Sequence, residues 1–502
     1  MRPMHTLQHL QAPTKRVTTE TPAPSVFSAS AVDVGKQLTF VRSETISQSV
    51  TVCVVFCVAL ALRIVFIALT TITPISDSGM YLEHASNVRS GAGLISSNGT
   101  ATAVIPPAYP FLIACVQSLA NLNDDTTAVA YAQALLGALT AALSVVLARR
   151  FLSGMQAAIT GGLVALAPTS IVYAGELMTE VPTTFLLVVA LLLLTVPETG
   201  DTAQGRSCLS QSGAGIVMGV AVLFRPAVLA FGLGVALWLA SGAAPRRRRA
   251  RAVMAFGVGM ALVVTPWTAR NYRVSNRLVL ISSNGGYNLY LGNNSKAWSG
   301  GWMPLSQESE PDTWADEFIR DREASQRATG WILANPTAYA KVTARRALTW
   351  VSLAPDYIPG VRLTSTSEVD DALVREYRAR WSRGAAVVDP AELSRSKRRN
   401  HAILLIWSIV TIPTALVGFV TGRRTKAEWV CLCPLVTYAA ILSLTFMQSR
   451  FREVVWPIWL AYSTVGVSQI PTLLRLGRSR RVTWMAAPGI LVAAAFCLQL
   501  WR

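Results

Sequence analysis

The feature that decides the fold is a long apolar stretch, VTVCVVFCVALALRIVFIALTTI, at residues 50–72. A helix crosses the hydrocarbon core of a bilayer with about 20 mainly apolar residues. This stretch is long enough, and it contains a single charged residue, Arg63. We therefore predict that it forms the first transmembrane helix. The segment before it is too long and too polar for a cleaved signal peptide, so the stretch is expected to act as an uncleaved signal-anchor.

Apolar stretches of similar character continue along the chain. Several are short for a span, and the part at 212–243 is also explained by one unit that is kinked at Arg225-Pro226. From the helix length that a bilayer requires, we predict an all-α polytopic membrane protein with about 11 transmembrane helices. The candidates after the first are 127–148, 156–174, 181–197, 212–224, 227–243, 252–268, 401–421, 428–447, 454–472 and 483–500.

The composition also indicates a membrane protein. Of the 502 residues, 52% are hydrophobic and 14% are charged, whereas soluble proteins carry about 25% charged residues. These values exclude an ordinary soluble enzyme and a disordered chain. The formal net charge is +18, but the basic residues lie mostly at the ends of apolar stretches, where they orient a membrane protein. No nucleic-acid partner is therefore expected.

The distribution of Lys and Arg predicts the orientation of the chain. If the N-terminus is cytoplasmic and the helices alternate, four basic clusters fall on the cytoplasmic side, in agreement with the positive-inside rule. These clusters are Arg149-Arg150, Arg246–Arg251, Arg423–Lys426 and Arg475–Arg481. The predicted parts are a disordered cytoplasmic tail at 1–48, an N-terminal transmembrane core at 49–268 with a first outer loop at 73–126, an extracytoplasmic loop domain at 269–400, and C-terminal transmembrane helices at 401–502.

Polar residues near the start of the first outer loop share one face of a predicted helix. The helix is expected over about residues 78–90. Asp77, Tyr81 and His84 are spaced by three or four residues and therefore lie on the same side of it. An alternative explanation of Asp77 is that it is simply the N-cap of this helix.

A proline-rich motif, Pro106-Pro107-Ala108-Tyr109-Pro110, follows in the same loop. The apolar stretch after it, at 111–120, is too short to span a membrane and is expected to form a helix that lies on the outer leaflet. Tyr109 is alternatively explained as an aromatic residue at the membrane interface.

These two motifs and four further stretches resemble bacterial GT-C glycosyltransferases. They are similar to the glycosyltransferase family 39-like proteins, a group that includes dolichyl-phosphate-mannose protein mannosyltransferases and lipid A aminoarabinose transferases. The further stretches are Tyr173–Glu180, Thr265–Tyr272, Ser283–Asn294 and Gln448–Arg452. The resemblance covers about residues 50–470. Two positions depart from it: Ser78 stands where these enzymes carry a second acid after Asp77, and Glu453 stands where a proline often follows.

The resemblance implies a GT-C fold with juxtamembrane helices on the outer face. It also implies transfer of a sugar, with inversion, from a polyprenyl-phosphate donor to a hydroxyl of a lipid, glycan or protein acceptor. The expected location is the plasma (inner) membrane, with the active site extracytoplasmic and membrane lipids as further partners. No cofactor is expected, because arginines can supply positive charge at the phosphate. Dependence on a divalent metal stays open, although the Cys and His residues are not grouped as in a metal site.

Two carboxylates on the outer side are candidates for the chemistry. Asp77 is the expected base, because the acceptor hydroxyl must lose its proton as it attacks the anomeric carbon. Glu180 is the second, and a helix start that Thr179 caps is an equally good explanation of it. The residues expected to contact the substrates are Tyr81, His84, Tyr109, Glu180, Asn284 and Asn293.

Basic residues are the candidates for binding the donor phosphate, because the planar guanidinium of Arg forms two hydrogen bonds with it. The expected donor-phosphate residues are Arg225, Arg270, Lys296, Arg450 and Arg452. Arg225 and Arg270 are alternatively explained by snorkelling to the interface, and Glu453 is a possible counter-charge for Arg452. Arg63 either snorkels outward, which is the preferred explanation, or lines a cavity for the lipid phosphate.

A transporter or flippase of lipid-linked sugars is the alternative function. Such proteins have paired halves with broken helices and charged residues near the middle of the membrane. This sequence shows no internal repeat, and its charged residues lie mainly at the outer ends of the predicted spans. The enzyme is therefore the preferred interpretation.

Overall fold

A computed structural model of the chain describes residues 29–72, 77–96, 99–120, 126–196, 203–241, 244–295, 297, 316–352, 361–363, 390–422 and 425–475. The chain divides into two compact units, Met1–Val50 and Thr51–Arg502. Within the first unit, residues 29–50 are helical. Part of the predicted tail, residues 29–48, is thus helical in the structure, and the disorder expected for the tail stays a prediction. All prolines of that tail precede residue 29, so none of them interrupts the helical hydrogen bonds after it.

Helices form most of the described chain. In chain order the elements are α1 (Ala29–Ala68), β1 (Thr70–Ile72), α2 (Asp77–Arg89), α3 (Ala108–Leu119), α4 (Thr126–Ala148), α5 (Gly154–Leu166), α6 (Pro168–Gly175), α7 (Glu180–Leu194), α8 (Ala203–Phe224), a 3₁₀ turn (Pro226–Val228), α9 (Leu229–Ser241), α10 (Arg246–Ser275), α11 (Gly285–Gly292), α12 (Glu317–Ala334), α13 (Pro336–Thr349), β2 (Val361–Leu363), α14 (Pro390–Thr421), α15 (Lys426–Thr445), a 3₁₀ helix (Ser449–Val455) and α16 (Trp456–Arg475). The two strands pair antiparallel, with Thr70 opposite Leu363. This pair is a small exception to the predicted all-α class.

The long apolar helices confirm a multi-pass membrane protein. Within the described residues, six helices are long and apolar enough to cross a membrane, or seven if the bent pair α5–α6 is one span. Shorter apolar helices lie at 108–119, 180–194 and 226–241. The total of about 11 spans stays a prediction, and its last member, 483–500, lies outside the described residues.

The break between α5 and α6 explains the charged residue of the first span. Pro168 starts α6, and the two helices meet at an angle of 45°. Because proline has no N–H and blocks helix continuation, carbonyls at the end of α5 lose their helical partners. Arg63, which is fully buried, donates to the carbonyls of Ala165 at 3.2 Å and Val164 at 3.4 Å. The preferred explanation of Arg63, snorkelling outward, is therefore wrong.

Two predicted domain boundaries fall inside helices. Helix α10 passes the expected border at residue 268 and ends before Asn276, whose left-handed backbone (φ 51°) is a common helix terminus. Helix α14 similarly crosses the expected border at residue 400. The polar residues beyond each apolar stretch do not stop the helix, because its backbone hydrogen bonds do not depend on the polarity of the side chains.

Small residues allow close packing of the C-terminal helices. A Cβ atom added to Gly418 of α14 would overlap the carbonyl oxygen of Tyr462 in α16, and one added to Gly466 would overlap that of Thr414. Such close approach of backbones is typical of packed helices in membranes. A second, smaller apolar cluster lies around α2 and α3 and includes Tyr81. This cluster carries the candidate site.

Candidate active site

Charged residues from four separate elements meet beside this apolar cluster. Asp77 begins α2, Glu180 begins α7, Arg225 follows α8, and Arg450 lies in the 3₁₀ helix. These four residues were all predicted site residues, and the structure brings them into one cluster of two ion pairs. The elements that carry them are far apart in the sequence, so the cluster depends on the tertiary fold.

The first ion pair joins Asp77 and Arg450. A guanidinium nitrogen of Arg450 lies 2.9 Å from Oδ2 of Asp77, and the two side chains are 27% and 32% exposed. Nε of Arg450 also donates to Gln448 at 2.7 Å. Burial would lower the pKa of Arg450, but Asp77 and Glu180 raise it above its ordinary value. Arg450 is therefore charged, and the pair is accessible to a ligand.

The second ion pair joins Glu180 and Arg225 and is buried. The two charged groups are 2.8 Å apart, and their side chains are only 1% and 10% exposed. The guanidinium of Arg225 also donates to the Thr179 hydroxyl at 3.2 Å and lies over the Phe451 ring, 4.2 Å from its centroid. Burial acts to lower the pKa of Arg225, but Glu180 and Tyr438 together outweigh this effect, so the pKa is raised above its ordinary value. Arg225 therefore does not snorkel, and its guanidinium is a buried partner of Glu180.

A longer contact connects the two pairs. Nε of Arg450 lies 3.9 Å from Oε1 of Glu180, the same oxygen that faces Arg225. The side chain of Thr179 makes no capping bond to the α7 backbone. The alternative explanation of the Thr179-Glu180 turn holds in part, because α7 starts at Glu180 but Thr179 does not cap it through its side chain. Glu180 instead places its carboxylate between two guanidinium groups.

Two tyrosines form the apolar wall of the site. The ring of Tyr81 meets the ring of Tyr109 edge to face, with centroids 5.0 Å apart. Tyr109 is fully buried, and its hydroxyl donates to Gln133 at 2.8 Å. Tyr109 is therefore not an interface aromatic, because its hydroxyl is internal and bonded to Gln133, and its substrate contact stays a prediction. His84 is buried on the same helix as Tyr81, and burial lowers its pKa.

Glu176 is a site residue that the sequence analysis missed. It lies at the end of α6, is 2% exposed, and accepts a hydrogen bond from Ser78, the residue after Asp77. Burial raises its pKa to about 8, although Arg450 opposes the shift. The available signal was its position four residues before Glu180, which places the two acids on the same side only if one helix contains both. The helix ends at Gly175 instead.

Two predicted phosphate-binding arginines lie apart from the cluster. Arg452 is buried and donates to the carbonyls of Ser352, at 2.6 Å, and Trp350, at 3.4 Å. Arg270 donates to the carbonyls of Leu94, at 3.1 Å, and Thr102. Their predicted role is not supported, because both guanidiniums hold backbone segments together.

Glu453 is not the counter-charge of Arg452. Its carboxylate accepts a hydrogen bond from the Ser170 hydroxyl, and burial raises its pKa. The alternative explanation of Arg452, neutralisation by the adjacent acid, therefore also fails, since the two side chains have different partners.

The predicted asparagines have structural partners. Asn293 donates to the carbonyls of Leu289 and Thr445, each at 2.8 Å, and accepts from Arg346 at 3.2 Å. Asn284 accepts from Ser282 at 2.9 Å. The internal bonds of Asn293 leave little capacity for a substrate, so its predicted role is not supported. Lys296 lies outside the described residues.

Across the part of the chain that the structure describes, no group of three or more His, Cys, Asp or Glu residues could hold a metal ion. Asp77 and Glu180 instead face guanidinium groups. The expectation that no cofactor is needed stays a prediction, and the dependence on a divalent metal stays open.

Several solved protein structures are similar to this chain. The fold is similar to that of the oligosaccharyltransferase of Archaeoglobus fulgidus in its apo form, with 15% identity over 90% of this chain and 54% of that one and a TM-score of 0.49. A second similar structure is AglB from the same organism with an inhibitory peptide and a dolichol-phosphate, at 14% identity, 91% and 55% coverage, and a TM-score of 0.49. The chain spans about half the length of these archaeal chains.

A third similar structure is ArnT from Cupriavidus metallidurans bound to undecaprenyl phosphate. It is 16% identical over 85% of this chain and 81% of that one, with a TM-score of 0.39. No curated protein matches the sequence. The family model described as dolichyl-phosphate-mannose-protein mannosyltransferase matches residues 104–269. Over these residues, which include Glu176, Glu180 and Arg225, the resemblance predicted from the sequence motifs is confirmed.

Proposed function

We propose that the chain is a membrane glycosyltransferase that moves a sugar from a polyprenyl-phosphate donor to an acceptor hydroxyl, with inversion. The observation that carries the proposal is the ion pair of Asp77 and Arg450, whose groups are 2.9 Å apart and both partly exposed. A carboxylate and a guanidinium at one accessible point supply a base and a phosphate ligand together. The family match over residues 104–269 supports the same class of donor.

Arg450 is the proposed ligand of the donor phosphate. The bond that breaks joins the anomeric carbon to a phosphate oxygen, so negative charge grows on the lipid phosphate as it leaves. A fixed guanidinium stabilises this charge in the transition state. The 3.9 Å contact with Glu180 supports the position of Arg450 from the buried side.

Asp77 is the proposed base. When the donor phosphate binds Arg450, it competes with Asp77 for the guanidinium hydrogen bonds, and the carboxylate becomes available to the acceptor. The acceptor oxygen then forms a bond to the anomeric carbon and gives its proton to Asp77. The products are the glycosylated acceptor and the polyprenyl phosphate. One displacement with one base gives inversion and needs no glycosyl-enzyme intermediate.

The proposed location is the plasma (inner) membrane, with the N-terminus cytoplasmic and the site extracytoplasmic. The support is the positive-inside rule, which places the basic clusters of the sequence on the cytoplasmic side. The acceptor is a lipid, glycan or protein hydroxyl.

The proposed function is tested with purified protein in nanodiscs and a panel of radiolabelled polyprenyl-phosphate sugars. The wild-type protein should release polyprenyl phosphate from one donor, and Asp77→Asn should abolish the release. The matched control is Asp316→Asn, because Asp316 is an exposed aspartate that caps α12 outside the site. Release at the wild-type rate by Asp77→Asn would rule out Asp77 as the base. Transport of the donor across proteoliposomes without release would favour the flippase.

A further inference from the structure

The Glu176 carboxyl has no role in the reaction described so far. The residue is 2% exposed, and one of its carboxyl oxygens, Oε2, is buried with no hydrogen-bond partner among the described residues. Burial of a carboxyl without full hydrogen bonding favours its un-ionised form, because the charged form loses its hydration.

The backbone holds this carboxyl in place. Glu176 has an extended conformation after α6, and its N–H donates to the Val172 carbonyl at 3.2 Å. Its own carbonyl accepts from Gln133 at 2.8 Å and from the Met178 N–H at 2.8 Å. Gln133 is in turn bonded to the buried hydroxyl of Tyr109. The side chain therefore stays in the site.

Groups from every neighbouring element face Glu176. Its electrostatic neighbours are Arg450 of the 3₁₀ helix, Glu180 of α7, Asp77 and Ser78 of α2, and the phenols of Tyr109 and Tyr173 from α3 and α6. The Ser78 hydroxyl donates to the carboxyl. In each of the two ion pairs the positive and negative charges balance. A charged Glu176 would therefore add an unbalanced negative charge next to the proposed phosphate ligand.

We propose that Glu176 is a positioning residue of the transfer reaction, which holds the first turn of α2 through Ser78 and, in its un-ionised form, keeps the site neutral for the donor phosphate. This proposal rests on the proposed function. It predicts that ionisation of Glu176 weakens phosphate binding at Arg450, because a second negative charge then lies close to the phosphate.

The direction of the pH dependence follows from the raised pKa of Glu176, about 8. Below this pH the carboxyl is un-ionised and the site binds phosphate fully. Above it the carboxyl ionises and phosphate binding becomes weaker. Glutamine at this position has nearly the same shape and stays uncharged at every pH, so Glu176→Gln removes the titration and keeps the bulk of the side chain.

The test uses undecaprenyl phosphate as the probe and measures its equilibrium binding to the purified full-length protein below and above pH 8. The wild-type Kd should rise by roughly tenfold across this range, the size expected when one like charge lies nearby in a partly screened site. Glu176→Gln should show a change at least threefold smaller than wild type. The control, Glu83→Gln, removes an exposed carboxylate from α2 and should behave as wild type. Titration of the probe's own phosphate affects all variants equally.

A second variant keeps the proposal testable if Glu176→Gln does not fold. Ser78→Ala removes the hydroxyl that stabilises the ionised carboxyl, so the pH at which binding weakens should move upward. In the release assay, this variant should also lower kcat more than it raises KM, because Asp77 loses its support while Arg450 does not.

The outcomes separate this proposal from the proposed function. A pH dependence of the Kd that is identical in wild type and Glu176→Gln would overturn the proposal, even if the wild-type protein transfers sugar. A pH dependence of the Kd that is present in the wild type and absent in Glu176→Gln would support it, even if no donor on the panel is turned over. In that case only the transfer reaction would be withdrawn. Failure of the wild-type protein to bind undecaprenyl phosphate at either pH would overturn the proposal.

Discussion

The two ion pairs of the site have the same chemistry and different surroundings. Asp77 and Arg450 are 2.9 Å apart and about a third exposed, whereas Glu180 and Arg225 are 2.8 Å apart and nearly inaccessible. An exposed pair is worth little in stability and can be broken by a ligand. A buried pair is costly to break, because the remaining charge stays uncompensated. From this difference we infer that the exposed pair takes part in the reaction and that the buried pair stabilises the fold around it.

The strongest test of this difference exchanges the charges of the exposed pair. The double variant Asp77→Arg with Arg450→Asp keeps an ion pair but removes the base and the phosphate ligand from their positions. Release of polyprenyl phosphate should fall by about 10²–10⁴-fold, the usual contribution of a positioned acid or base, while the protein stays folded. Recovery of activity in the exchanged protein would mean that the pair serves stability alone.

Disruption of the buried pair should lower the stability of the protein. Glu180→Gln leaves Arg225 without its counter-charge in a site that water hardly reaches, and should lower the free energy of unfolding by about 3–5 kcal/mol. Asp77→Asn should lower it by less than about 1 kcal/mol, because its site is partly exposed. Thermal and chemical unfolding in the same detergent compares the two. Equal losses would remove the distinction between the pairs.

A smaller effect is expected from Arg450→Lys, which keeps the charge and loses the planar guanidinium. The KM for the donor should rise about tenfold with a smaller change in kcat, because a lysine binds phosphate through a single point of charge. Steady-state kinetics with the donor identified from the panel measures this. An unchanged KM would place the phosphate elsewhere.

The smallest effect on donor binding is expected two residues away. Arg452→Lys removes hydrogen bonds to the carbonyls of Trp350 and Ser352, so it should cost about 1 kcal/mol in stability. The donor KM should change by less than about twofold, since Arg452 donates to backbone outside the ion-pair cluster. A KM change equal to that of Arg450→Lys would restore Arg452 to the phosphate site.

Local patterns predicted the parts of the fold that depend on neighbours in sequence. Helix α2, expected at about 78–90, is found at Asp77–Arg89, because its spacing of buried residues is a local signal. The different roles of Arg450 and Arg452 were not predictable. The motif was treated as one unit, but residues two apart in a 3₁₀ helix point in different directions, and their partners come from distant segments.

Glu176 was missed for a related reason. In the sequence, Glu176 and Glu180 lie on one side only if the helix continues between them, whereas α6 ends at Gly175 and Glu176 accepts a hydrogen bond from Ser78. The hydrogen bond between Ser78 and Glu176 joins residues that are almost 100 positions apart in the sequence, so only the three-dimensional structure reveals it.

The buried Arg63 has a consequence for how the protein is made. A charged residue near the middle of a span costs about 2.5–3.5 kcal/mol during membrane insertion. The carbonyl of Ala165 that receives its guanidinium lies 102 residues later in the chain. The first helix therefore enters the bilayer with an unresolved charge and becomes stable only after α5 has been synthesised and docked. The insertion of the first span is in this way coupled to that of the bent pair α5–α6, whose carbonyls receive the guanidinium.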